Sequence, residues 1–237
     1  MTTEHSSPYR YAIYFTPTPT SEWGLAGSQW LGRCALTGTT HAPPEIPGLE
    51  ASVYEACTRE PRRYGWHATL KAPFQLLPGL TRQDLMSRLR LLASQMTAFT
   101  LPALRVSTLG NFLALRPEGD TSHINAIAAT CVKDLHDLTL PLSAEELARR
   151  RSAPLTAAQD QMLVQWAYPW VMAHFRFHLS LTGSLESICP EQRQALIETA
   201  QKRFHGLADC RFDHLALFIE AEKGSDFQMA EMVELRA

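Results

Sequence analysis

Two short runs carry the residue types that could do chemistry: His67-Ala-Thr69-Leu70 and His178-Leu-Ser180-Leu181. Alternate side chains of a β-strand share a face. His67, Thr69 and Lys71 then fall on one face of a strand, with Ala68, Leu70 and Ala72 on the other. In the second run His178, Ser180 and Thr182 oppose Phe177, Leu179 and Leu181. Each strand thus turns an apolar row toward a core and a row of imidazole and short hydroxyl groups toward a cleft. Near neutral pH one imidazole can take a proton while a second gives one, which suits a phosphate ester held between them. A hydroxyl two residues on can donate to a non-bridging oxygen as charge shifts. The chemistry expected is hydrolysis of a phosphodiester with no metal ion and no cofactor. A single histidine on a strand is usually structural; two copies at equivalent places in similar units argue for a site.

The other candidates are weaker. Lys71 is either a phosphate cation or a solvated edge residue. His174 and His178 are four apart, which on a helix would resemble a zinc pair. The alternation of Phe175-Arg-Phe177 instead reads as a strand, where the two rings lie far apart, so no metal site is expected. Arg149-Arg150-Arg151 reads as a solvated helix end, and Trp166-Ala-Tyr168-Pro-Trp170 as packing for a linker, although it is aromatic enough to stack a base. The remaining histidines show no partner pattern.

The elements that must position these residues follow from periodicity and turn chemistry. Residues 9–15 are rich in aromatic and β-branched types and read as a strand ending before Pro17. Residues 16–50 read as loops around a short helix near Trp23–Leu31, and residues 64–77 as a strand. Leu85, Leu89, Leu92 and Met96 give residues 81–99 a helical spacing, with Thr81 as N-cap and Asp84 three residues later. Residues 100–116 read as two strands turning at Gly110-Asn111, and residues 121–138 as an amphipathic helix. The last third repeats the order: strand 175–185, helix 190–204 opened by Pro190, and a hairpin of 210–221 with 227–235. Residues 141–168, read as two helices, belong to neither unit and could lie over the cleft. The division expected is a first lobe at 9–138, a helical insertion at 139–170 and a second lobe at 171–237, with the strand at 9–16 able to pair with the second lobe.

Composition narrows the function. The 237 residues, 45% hydrophobic, suffice for one sizeable core or two small lobes. A net charge of -2 argues against duplex nucleic acid bound through bulk charge, but allows a small anion held by a local cluster of cations. Five scattered cysteines with no C-x-x-C pair read as reduced thiols in a cytoplasmic protein. The polar N-terminus reads as no signal peptide, and no stretch reaches the length of a membrane span.

The two His-x-Thr/Ser motifs resemble those of the two-histidine phosphoesterase superfamily. More narrowly, Arg10-Tyr-Ala-Ile-Tyr-Phe15, Tyr64-Gly-Trp-His-Ala-Thr-Leu-Lys-Ala-Pro-Phe74, Tyr168-Pro-Trp-Val171 and Phe175-Arg-Phe-His-Leu-Ser-Leu-Thr-Gly183 resemble a bacterial branch labelled as a phosphonate metabolism protein, which accompanies carbon–phosphorus lyase genes. The likeness runs from about residue 9 to the C-terminus. It implies a bilobal, duplicated α+β fold with two antiparallel sheets facing a central cleft and helices outside. It implies His67 and His178 as the acid–base pair, Thr69 and Ser180 as phosphoryl-binding residues, and Tyr64, Lys71 and Arg176 as flanking the site. The chain departs from the superfamily in its longer middle, which weakens any transfer of RNA specificity, and in Trp66 where Phe is expected. The expectation is a phosphoric diester hydrolase of the cyclic phosphodiesterase type, monomeric, acting on a small phosphorylated ribose or nucleotide. An RNA-end processing enzyme and a non-catalytic module that binds a phosphorylated ligand are the alternatives.

Overall fold

The computed structural model describes residues 8–152 and 154–237. The polar stretch at residues 1–7 lies outside them. In chain order the elements are β1 (Arg10–Phe15), α1 (Glu22–Leu31), α2 (Ala51–Tyr64), β2 (Ala68–Phe74), α3 (Arg82–Ala93), β3 (Phe99–Thr100), β4 (Leu104–Leu109), β5 (Phe112–Pro117), α4 (Ser122–Asp134), α5 (Ala144–Arg150), α6 (Ala157–Trp166), β6 (Leu179–Ser180), α7 (Pro190–Phe204), β7 (Arg211–Phe212), β8 (His214–Glu220) and β9 (Phe227–Glu234). A 3₁₀ turn at Met172–His174 precedes β6. The architecture is mixed α+β with antiparallel sheets. No helix among the described residues is long and apolar enough to cross a membrane.

Local sequence explains most of the boundaries. Thr81 and Asp84 close a capping box at the start of α3, as do Ser143 and Glu146 for α5 and Thr156 and Gln159 for α6. Pro190 opens α7, where its missing N–H is no loss. Sequence reasoning missed α2, and the reason is visible. Its N-cap, Glu50, makes no side-chain cap bond, and Pro61 sits inside the helix. What holds α2 is tertiary: Tyr54, Cys57, Thr58 and Pro61, at helical spacing, are its buried residues. The Tyr54 hydroxyl donates to the Trp30 carbonyl at 2.6 Å, and the Trp30 indole N–H donates to the Leu181 carbonyl at 2.8 Å, so α1 and α2 are tied to the strand after His178. Trp66 stacks on Phe204 and fills the space over Gly27, where a Cβ would lie 2.1 Å from its indole.

The sheets do not follow the expected lobe boundaries. The four-stranded sheet has the order β2-β1-β8-β9, and the three-stranded sheet β4-β5-β6. Each edge strand that follows a motif histidine therefore pairs away from its own unit. β2 lies beside β1 in the sheet of the C-terminal hairpin, and β6 lies beside β5 of the earlier hairpin. A separate ladder joins β3 to β7. One large core lies between the layers, built from Ile13 and Phe15 of β1, Leu85 and Leu89 of α3, Leu113 and Leu115 of β5, Ile124 and Ile127 of α4, and Leu196 of α7, among others. A smaller cluster on the other face of β1 contains Ala12, Tyr14, Phe218 and Phe227.

The strand read at 175–185 is shorter than its alternation suggested. Only Leu179 and Ser180 are in strand conformation. Beyond them Thr182 substitutes for the ladder: the Leu113 N–H donates to Thr182 Oγ1 at 3.0 Å, and the Leu181 and Thr182 N–H groups both donate to the Leu113 carbonyl. A side chain that takes a main-chain acceptor's place ends regular pairing.

Candidate active site in the inter-sheet cleft

His67 and His178 each stand one residue before their strand, β2 and β6. Their local geometry matches. Nδ1 of His67 is 2.8 Å from the Gly65 carbonyl, and Nδ1 of His178 is 2.7 Å from the Arg176 carbonyl, two residues back in both cases. A carbonyl can only accept, so each ring carries its proton on Nδ1 and leaves Nε2 with the lone pair. Nε2 of His67 lies 3.2 Å from Thr69 Oγ1. The Gly65 carbonyl is aimed by a backbone that suits glycine: φ is +80°, and a Cβ there would sit 2.6 Å from that of Ala35. Tyr14 stacks on the His67 ring with centroids 3.8 Å apart, and Phe112 lies against His178 at 5.6 Å.

Both histidines, Thr69, Ser180 and Tyr64 line one cleft of about 560 Å³, with Arg10, Tyr14, Phe112, Arg149, Arg150 and Tyr168 also at its wall. The volume is in the range of small-molecule sites. Burial pushes the His67 imidazole down to about 4; its bond to the Gly65 carbonyl works the other way, and charge on His178 would push it lower still. Burial also lowers His178, against the opposing effect of the Arg176 carbonyl. Both rings are therefore neutral at pH 7 in the free protein, and protonating one disfavours protonating the other. A pair in which only one ring at a time takes up a proton suits acid–base catalysis.

The structure brings together five of the seven residues singled out from the sequence: His67, His178, Thr69, Ser180 and Tyr64. Arg176 lines an adjoining compartment, also of about 560 Å³, which it shares with His178, Phe112, Tyr168 and Trp170. Its guanidinium bonds back to the carbonyls of Ala173 and Phe175. Lys71 is a correction. Simple alternation put it on the face of His67 and Thr69, but the β1–β2 register shifts: Tyr14 pairs with Thr69, whereas Ile13 pairs with Lys71. Directly paired residues point to the same side, and an extra residue in one strand swaps the faces beyond it. Lys71 accordingly follows Ile13 away from Tyr14, is 4% exposed, and places its ammonium 4.8 Å from the Phe74 ring. Burial pulls its amine down to about 8.

The structure adds residues that the sequence reading left without a role. Arg10 and Tyr14 are four apart on β1, so alternation could have placed them on one face. Arg10 is held by the fully buried carboxylate of Glu220, which also pairs with Arg63. Arg150, which sequence alone assigns to a solvated helix end, instead reaches the cleft wall, and nothing in the run of three arginines distinguishes it. Among the described residues no group of three or more histidine, cysteine or carboxylate side chains could hold a metal ion.

A family profile described as "Protein of unknown function (DUF1045)" matches residues 69–228, more than half of the chain. A protein of Janthinobacterium sp. (strain Marseille), named ribose 1,5-bisphosphate phosphokinase PhnN, is 41% identical over 176 residues, which cover 74% of this chain and 39% of that protein. A protein of the same name from Laribacter hongkongensis (strain HLHK9) is 33% identical over 226 residues, covering 95% of this chain and 52% of that protein. The chain thus spans about half or less of the length of these relatives. Their name corrects the enzyme class expected from the sequence: it is that of a phosphokinase, not of a phosphoric diester hydrolase of the cyclic phosphodiesterase type. The physical reason is that two imidazoles and two hydroxyls around a phosphate specify proton transfer and charge stabilisation, which different phosphoryl reactions share.

Proposed function

We infer that this chain, which belongs to the DUF1045 family, binds a small phosphorylated ribose in the inter-sheet cleft and exchanges protons with its phosphoryl group through His67 and His178. One observation carries the reading: both imidazoles are fixed the same way, by Nδ1–H to the carbonyl two residues back, with both residues on the wall of a single cleft. Thr69 and Ser180 are the hydroxyl donors to non-bridging oxygens. The two-histidine phosphoesterase likeness of the motifs supports these roles. The ribose comes from the relatives' name, ribose 1,5-bisphosphate phosphokinase, and agrees with the phosphonate-metabolism branch that the sequence resembles. Because this chain spans only part of those relatives, the step assigned to it in handling the sugar phosphate is proton transfer at the phosphoryl group.

The test combines calorimetry with phosphorus NMR on the purified chain. Ribose 5-phosphate and ribose 1,5-bisphosphate are offered with chelator present, with and without a nucleoside triphosphate. Saturable binding is expected, and any turnover should fall by at least roughly 10²-fold in His67→Ala and in His178→Ala, the usual scale for a general acid or base. Binding without turnover would leave a ligand-binding module. Absence of binding, or variants indistinguishable from wild type, would refute the assignment.

A further inference from the structure

The cationic wall of the cleft is not used by the histidine pair. Arg150 is the last residue of α5, in the segment that belongs to neither repeated unit. Its Nη1 donates to the Ala167 carbonyl at 2.8 Å, at the left-handed turn that ends α6. Its Nε–H is buried and has no hydrogen-bond partner among the described residues. Such a group is uncommon in folded proteins, because leaving a buried donor unpaired is unfavourable, the more so where charge is involved. Arg149 and Arg10 line the same cleft, as do the Tyr64 and Tyr168 phenols.

The charges around Arg150 do not neutralise one another. Glu146 is paired with Arg149 at a loose 3.9 Å, and Glu220 is committed to Arg10 and Arg63. Glu60 also lines the cleft, but sits by Gly183 beyond β6, with its Cβ 3.8 Å from where a Gly183 Cβ would be. Burial and the neighbouring Arg149 and Arg10 disfavour the charge on Arg150, while Glu146 and Tyr168 favour it. A guanidinium at the wall of a cleft, set among other arginines, is complementary to a phosphate, whose oxygens match the arginine fork; the buried Nε–H would gain a partner only if the Arg150 side chain shifts as the anion binds.

We propose that Arg150, assisted by Arg149 and Tyr168, forms a second anion subsite, so that the cleft selects a ribose carrying two phosphates: one between the histidines and one on the arginines of the α5–α6 segment. This rests on the function proposed above and goes further in naming the substrate class and the residues that select it. It also gives that segment a role, bringing cations to a cleft whose two sheets supply the imidazoles.

The experiment is titration calorimetry of the full chain with three probes: ribose 1-phosphate, ribose 5-phosphate and ribose 1,5-bisphosphate. Wild type is expected to bind the bisphosphate at least about tenfold more tightly than either monophosphate. The quantity read is that ratio. Arg150→Gln should bring it close to one; Arg150→Lys, which keeps the charge but loses the fork, should leave an intermediate value. Circular dichroism and thermal melts verify folding. Should Arg150→Gln unfold through loss of the Ala167 bond, Arg149→Gln decides, since Arg149 is largely exposed; it should reduce the ratio severalfold. An unchanged ratio in folded Arg150→Gln, or in Arg149→Gln where that variant decides, overturns the proposal. So does a wild-type ratio near one, which would leave the histidine site standing. Failure of all three probes to bind would overturn the proposed function, and the second subsite with it.

Discussion

The neutral state of His67 has a measurable consequence for stability. Its imidazole titrates at about 4 in the folded chain, against an ordinary value near 6.5. Between those values the unfolded chain binds a proton that the native chain does not. Stability therefore rises with pH across this window, and is lost as pH falls through it. At about 1.4 kcal/mol per pH unit for one proton, integration from pH 7 to pH 4 gives a loss of roughly 3 kcal/mol from this residue alone. His67→Gln removes the titration while keeping a polar side chain of similar reach. Urea unfolding of both proteins at pH 7, 6, 5 and 4 isolates the effect, because the other buried groups are common to both. The wild type is expected to lose about 3 kcal/mol more than the variant over this range, most of it below pH 6. A bound phosphate, which favours the imidazolium, should shrink the difference. Parallel curves for the two proteins would mean that His67 is solvated and titrates normally, and the argument for a buried acid–base pair would fail.

Two more outcomes test how the site is held. Gly65→Ala introduces a Cβ against Ala35 at a backbone angle that L-residues avoid, so it should destabilise the chain by about 2 kcal/mol or more in chemical denaturation and release His67 Nδ1, seen as a change in its ring nitrogen shifts. Lys71→Met tests the strand shift. The native amine titrates at about 8, below its usual range, so the unfolded chain holds the extra proton between pH 8 and about 10.5; wild-type stability rises across that window, and the variant should be more stable at pH 7 by up to about 3 kcal/mol, with the gain fading toward pH 10.5. Its affinity for a phosphorylated ribose should stay within about twofold, and a tenfold loss would put Lys71 back in the cleft.

Much of this fold could be read from local patterns because local chemistry decides those elements. Thr81 with Asp84, and Pro190, mark helix starts that the structure retains. Gly110-Asn111 turns one hairpin and the stretch around Gly224 the other. The histidine motifs were visible because imidazole and hydroxyl recur at one spacing. The rest depended on distant partners. The α2 helix exists through burial of Tyr54, Cys57 and Pro61 rather than through a cap. The orientation of Lys71 depends on which residue of β1 faces it, and strand alternation within β2 carries no information on that. Arg150 differs from Arg149 and Arg151 only in what the chain folds against: Arg151 pairs with Asp160 in an exposed bridge, while Arg150 reaches Ala167 and the cleft.

The exchange of edge strands links the two sheets that carry His67 and His178, about 110 residues apart in sequence. β2 is covalently joined to the unit that forms the three-stranded sheet, yet it is paired to β1 in the other; β6 is joined to α7 and the C-terminal hairpin, yet paired to β5. The chain therefore crosses between the two sheets at each of these edge strands, and both sheets pack on one buried core that includes Ile13, Phe15 and Leu70 of one and Leu113, Leu115 and Leu179 of the other. The α5–α6 segment is then not required to clamp the sheets together. Its capping boxes, the Arg150–Ala167 bond and the Arg151–Asp160 pair make it a self-supporting layer. Substitution of Arg149 or Arg150 should for that reason alter what the cleft accepts while leaving the distance between the imidazoles unchanged.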